Sequence, residues 1–235
     1  MNRQLATSIT TATSATTERS YLRQVFAWMV LGLVLTTGVA AYLSATSDVI
    51  GYFEDHAALW WVLMIAQLGA VFGLSAALPR LSANAAALLF CLYSGLTGVT
   101  FALLFQVYTT ASIVGAFAGA AGVFAGMAIY GYTTQRDLSA FRGILFGALI
   151  GLIVASIAFV FIGGGVLNLI IGWLGVIVFA GLTAYDMQRI KQIGAQGMGD
   201  ADTTQKLAIF GALSLYLNFI NLVISLLRIF GGGRS

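Results

Sequence analysis

Charge is what this sequence has least of. Asp, Glu, Lys and Arg make up 8% of its 235 residues and apolar side chains 60%, where a soluble domain carries about a quarter charged residues. That excludes an ordinary water-soluble fold and points to a chain that crosses a membrane several times. A single cysteine, Cys91, lies inside an apolar run, so there is no disulfide framework. A single histidine, His56, stands in a hydrophilic loop beside Glu54 and Asp55. It reads as a solvated loop residue, because a transition-metal site needs several convergent donors. We therefore expect no metal centre and no cofactor. The net charge of +3 comes from basic residues scattered among loops, with no stripe of the kind that binds nucleic acid. One proline against 28 glycines suits long helices that approach one another closely.

Uncharged apolar runs of about 20 residues occur at 24–46, 57–78, 82–107, 111–132, 143–163, 166–187 and 207–228. The connections between the third and fourth and between the fifth and sixth are short, which makes each pair a tight helical hairpin. Residues 1–19, rich in Thr, Ser and Ala, are expected as a disordered tail rather than a signal peptide, leaving 20–235 as one membrane domain. Placing the N-terminus in the cytoplasm puts Arg3, Arg19, Arg23, Arg80, Arg136, Arg142, Arg189, Lys191 and Lys206 inside, as the positive-inside rule asks. The first outer loop is then acidic, with Asp48, Glu54 and Asp55. A spanning seventh segment leaves Arg228 and Arg234 outside, whereas a re-entrant one brings them in. Its apolar stretch covers about 32 Å, enough to cross, and spanning is favoured.

Small residues four apart let helices approach in lipid. Gly115, Gly119, Gly122 and Gly126 line one face of the fourth segment, and Gly143, Gly147, Gly151 and Ala155 one face of the fifth. Both stripes are expected to pack a compact bundle. The seventh segment repeats the spacing with polar residues: Ser214, Asn218, Asn221 and Ser225. Such a face leaves amides unsatisfied if it points at lipid. It looks into the bundle instead, either as glue between helices or as the wall of a hydrated pathway.

Asp186 ends the sixth segment within TAYDMQRIK. A carboxylate there either pairs with Arg189 one turn on or marks an ion or proton pathway. Tyr185–Asp186 and the GMGD that ends in Asp200 look like motifs of intramembrane aspartyl proteases, whose two carboxylates must face each other across a wet cleft. Here the second lies in a polar loop, too close in sequence for adjacent spanning helices. Zinc-protease, nucleophile-elbow and phosphate-loop motifs do not occur, and the chain is not expected to be an enzyme.

Taken together, TAYDMQRIK (183–191), YGYTTQRDLSAF (130–141) and ALSLYLNFINLVISLLRIFGG (212–232) resemble the Bax inhibitor-1, or transmembrane Bax inhibitor motif, family, and its bacterial inner-membrane members in particular. The resemblance covers about residues 20–232. It implies an all-α seven-helix bundle with the C-terminal helix central, and a pH-modulated calcium leak across the lipid bilayer, calcium being the permeant ion. It also implies a sensor made of two aspartates, the first matching Asp186. Arg80 is the one candidate for the family's gating basic residue; on its own, it reads as a topology anchor. The second aspartate is replaced: where the family has YLDFIN this chain has YLNFIN, with Asn218 in the aspartate's place. A reading from another class is a non-transporting regulator that binds a second membrane protein, such as a protease or stress factor.

Two facing carboxylates resist ionising together, which makes a pH switch. Asparagine has nearly the shape of a protonated aspartic acid and can donate its amide to a carboxylate. Asp186 opposite Asn218 is therefore expected to show weakened or displaced pH sensitivity. Asn221, by contrast, fits a structural hydrogen bond between helices.

Overall fold

A computed structural model describes residues 2–46, 49–56, 58–77, 80–196 and 199–232. Asp48, Pro79, Gly197, Met198 and Arg234 lie outside these ranges. Eight α-helices follow among the described residues: α1 (Asn2–Thr46), α2 (Val49–Asp55), α3 (Ala58–Ala77), α4 (Ala83–Val107), α5 (Thr110–Thr133), α6 (Arg142–Ile162), α7 (Gly165–Ala195) and α8 (Ala201–Phe230). No strand occurs among them. Each of the seven apolar segments is a helix, the form that pairs backbone N–H and C=O groups without water. Six helices are long and apolar enough to cross a membrane, and α3 carries the shorter apolar stretch Ala58–Leu74. The chain is an all-helical integral membrane protein.

The backbone is helical from Asn2 onward, with side chains described from Thr17. Residues 2–19 contain no Gly or Pro to interrupt that helix. The first acidic loop holds the short helix α2, where buried Phe53 meets Trp60 edge-on at 5.2 Å. His56, just past its end, has Nδ1 3.0 Å from the Tyr52 carbonyl oxygen.

The chain divides into two compact units. In the first (Met1–Leu103 and Arg189–Ser214), α1 and α4 meet at Gly98, where a Cβ would stand 2.9 Å from the Thr36 carbonyl oxygen. The Thr36 hydroxyl donates to the Ser94 carbonyl at 3.0 Å. Gln67 of α3 donates to the Leu96 carbonyl and to the Thr100 hydroxyl, at 3.1 and 2.7 Å. At the start of α4 the Ala83 N–H is capped by Asp202 from the first turn of α8, at 3.0 Å. Asp202 also pairs with Lys206 at 3.0 Å.

The second unit (Leu104–Gln188 and Leu215–Ser235) holds α5, α6, most of α7 and the later part of α8. Gly131 of α5 lies directly on the Ala184 carbonyl of α7. Leu138, Ala184 and Tyr185 form a buried cluster flanked by Met127 and Leu145. Phe219 of α8 packs edge-on against Phe124 at 5.7 Å. Beyond α8, the Gly232 carbonyl accepts from the Thr109 N–H at 3.1 Å, and the Gly232 N–H donates to the Ser112 hydroxyl at 2.9 Å.

The two glycine stripes do not pack as expected. A Cβ added at Gly143, Gly147 or Gly151 would meet nothing among the described residues, and of the α5 stripe Gly119 alone has a neighbour, Leu226. Close approach in this unit falls to glycines outside the stripes, among them Gly131, Gly172, Gly175 and Gly181. Spacing selects a face of a helix; it does not say what that face meets. Burial separates the helices further: 67% of α8's apolar window is buried against 6% of that of α6.

Candidate functional site

The site forms where α7 and α8 come together in the second unit. α7 runs for 31 residues, carrying its apolar sequence past Asp186 into the basic end RIK. α8 begins on a cap: Asp200 accepts from the Thr203 N–H at 3.1 Å, which satisfies a first-turn donor. Hydrogen bonds from Thr203 hold the Asp200 carboxyl below the usual carboxylate range. Its stabilising effect is therefore present above that range and lost as pH falls through the lowered value. Asp200 is thus an exposed aspartate engaged as a helix cap.

Asn218 donates its Nδ2–H to Asp186 Oδ2 at 2.7 Å. Both side chains are buried, at 4% and 8% exposure. A short bond from an amide to a carboxylate is stronger than one between neutral groups, and either side chain buried alone would be costly. Three residues earlier on α7, the Thr183 hydroxyl turns back to the Phe179 carbonyl at 2.7 Å. Arg189, the other partner considered for Asp186, has its guanidinium over the Phe210 ring at 5.8 Å.

The rest of the polar stripe behaves differently. Asn221 donates to the Leu217 carbonyl of its own helix at 2.8 Å, so the bond expected between helices is made within α8. Ser225 likewise donates to the Asn221 carbonyl at 2.7 Å, and its hydroxyl nests against Gly175 of α7. Serine and asparagine reach the carbonyl four residues back easily, which is why spacing alone overstated their need for an outside partner. Ser214 is half-buried and belongs to the first unit. Arg80 is exposed in the α3–α4 connection, its N–H donating to the Ala77 carbonyl at 2.8 Å, and it too belongs to the first unit.

Two features escaped the sequence reading. Arg228 continues the α8 stripe by one more step of three; its guanidinium lies over Phe159 at 5.8 Å, and its Nη1 is buried without a hydrogen-bond partner. Gln188, two residues after Asp186, is buried and takes both of its bonds from the α5–α6 loop: it accepts from the Leu138 N–H at 2.9 Å and donates to the Arg136 carbonyl at 2.8 Å. The 228 position was readable from periodicity; the Gln188 pairing, with backbone fifty residues away, was not. Among the described residues no three His, Cys, Asp or Glu side chains converge.

The family model for the inhibitor of apoptosis-promoting Bax1 matches residues 18–235. The chain belongs to the Bax inhibitor-1 family. It is 46% identical to the inner membrane protein YbhL of Escherichia coli over 217 residues, covering 92% of this chain and 93% of that protein. An uncharacterized protein of Deinococcus radiodurans is 42% identical over 217 residues, 92% of each chain. One from Borreliella burgdorferi is 38% identical over 218 residues, 93% of this chain and 94% of its own.

Proposed function

We propose that this Bax inhibitor family protein is a calcium leak pathway of the bacterial inner membrane in which Asp186 is the proton-sensitive group and Asn218 has replaced its usual aspartate partner. The observation that carries the reading is the 2.7 Å bond between two buried polar side chains on different helices. An ionisable residue buried in an apolar helix is expensive and marks a functional site by default. The high burial of α8 supports a seven-helix bundle around a central C-terminal helix. The loop arginines and lysines support a cytoplasmic N-terminus.

Asparagine changes how such a contact responds to protons. Two carboxyl groups hold together while they share one proton and repel once it leaves. The amide has no such limit. Its N–H complements a carboxylate, and after rotation its C=O complements a carboxyl O–H. The α7–α8 contact is thus satisfied on both sides of the Asp186 titration, and the leak should respond weakly to pH.

Calcium flux into liposomes tests this directly. Between about pH 6 and 8 the native chain is expected to change little, while Asn218→Asp should gain a response of at least about fivefold, the lower end of ordinary coupling between sites. Identical pH profiles for the two proteins would remove the sensor role of residue 218.

A second reading, a non-transporting regulator that binds another membrane protein, draws on the later part of the stripe. Asn221 and Ser225 are satisfied within α8, and Ser225 packs against Gly175 of α7. Under that reading neither protein passes calcium at any pH.

A further inference from the structure

We propose that Gln188 is a positioning residue for Asp186: by clasping the α5–α6 loop it fixes the rotation of α7 and so the reach of Asp186 to Asn218. The inference concerns the same contact as the proposed leak, but it is a statement about geometry and holds whether or not ions pass.

The clasp has a specific chemistry. The loop offers one N–H, on Leu138, and one C=O, on Arg136, and Gln188 answers both at 2.9 and 2.8 Å. A side-chain amide carries a donor and an acceptor side by side; an ionised carboxylate supplies the acceptor alone and an ammonium the donor alone. The loop is itself set in place before Gln188 meets it. Asp137 accepts from the Ser139 N–H at 2.9 Å, starting the 3₁₀ turn Leu138–Phe141 that leads into α6, and Leu138 is buried against Ala184 and Tyr185.

Around the axis of α7, successive residues turn by about 100°. Ala184, Tyr185 and Gln188 therefore share one side, and Asp186 faces nearly the opposite way. The contacts follow that division. Gly131, Leu138 and Arg136 hold the first side, and Asn218 of α8 holds the second. With Gly131 seated on the Ala184 carbonyl, α7 has little freedom to slide toward α5, and rotation is the motion left for Gln188 to restrain. A rotation of about 20° moves an atom about 6 Å from the axis by roughly 2 Å. That is enough to carry a 2.7 Å bond beyond hydrogen-bond range.

The test reads the Asn218 side chain itself. The chain has few asparagines, at positions 2, 84, 168, 218 and 221, so ¹⁵N-asparagine labelling in nanodiscs gives a sparse side-chain amide spectrum, with Asn218 identified by its loss in Asn218→Asp. Gln188→Met keeps length and removes both bonds; Gln188→Glu keeps the acceptor and, while ionised, loses the donor. The expected result is a displaced or split Asn218 amide signal in Gln188→Met, a smaller displacement in Gln188→Glu, and at least about tenfold faster backbone exchange at Leu138, the factor that corresponds to about 1.4 kcal/mol of lost protection. An unmoved Asn218 signal with a loosened loop would make Gln188 a loop fastener only and overturn the proposal. So would a loop that exchanges no faster. Should Gln188→Met not fold, Gln188→Glu, which loses the bond to the Arg136 carbonyl and keeps that from the Leu138 N–H, decides by the Asn218 signal alone: a displaced signal supports the proposal and an unmoved one overturns it.

Discussion

Gly131→Ala is expected to lower the unfolding midpoint of the purified protein by about 10 °C, whereas Gly147→Ala leaves it unchanged or slightly raised. At Gly131 a new Cβ would meet the backbone carbonyl of Ala184, an atom that cannot swing aside as a side-chain tip can. α5 and α7 must part, disturbing the Leu138–Ala184–Tyr185 cluster. Overpacking of this kind costs about 3 kcal/mol, and each kcal/mol is worth about 2–4 °C in a chain of this size. Gly147 meets nothing among the described residues, so alanine adds only its helix preference, up to about 1 kcal/mol. Thermal unfolding of the two variants side by side checks both numbers. Equal effects would mean that the stripe on α6 is engaged after all.

Removing both halves of the Asp186–Asn218 contact should cost less than the two single losses added together. Asn218→Leu leaves a carboxylate buried without its amide, at a cost of about 3 kcal/mol, by analogy with broken buried pairs. Asp186→Leu leaves an amide without its acceptor, about 1–3 kcal/mol. The double variant replaces the pair by apolar volume and is expected to fall short of that sum by a coupling of about 2 kcal/mol, within the usual range for contacting residues. Denaturant or thermal unfolding of the four proteins closes the cycle. Additive losses would show that the two side chains stabilise the protein independently, despite a separation of 2.7 Å.

What could be read in advance follows from these same residues. The apolar runs were legible because lipid leaves the backbone no alternative to internal pairing, and each of them is a helix. The face of α8 was legible from its 4, 3, 4 spacing. Its neighbours were not: Asn218 meets Asp186, but Asn221 and Ser225 turn to carbonyls of their own helix. The likeness of AYD and YLNFIN to a family pattern, rather than periodicity, singled out 186 and 218. Glycine spacing pointed to Gly143, Gly147 and Gly151, yet Gly131, Gly172 and Gly175 sit in the close contacts. A glycine's importance depends on which atoms come up against it, and one helix read alone holds no such information. Gln188 stayed hidden for a related reason, since both its partners are backbone groups that no side-chain pattern records.

The Asp202 cap on α4 has a consequence for biogenesis. Ala83 and Asp202 are 119 positions apart, and the Ser112–Gly232 bond at the other end of α8 spans 120. Helices inserted in chain order therefore leave the start of α4 and the start of α5 each short of a partner until α8 arrives. α8 is the closing piece of assembly, and a ribosome stalled before it would leave in the bilayer a set of hairpins that are threaded but not fastened.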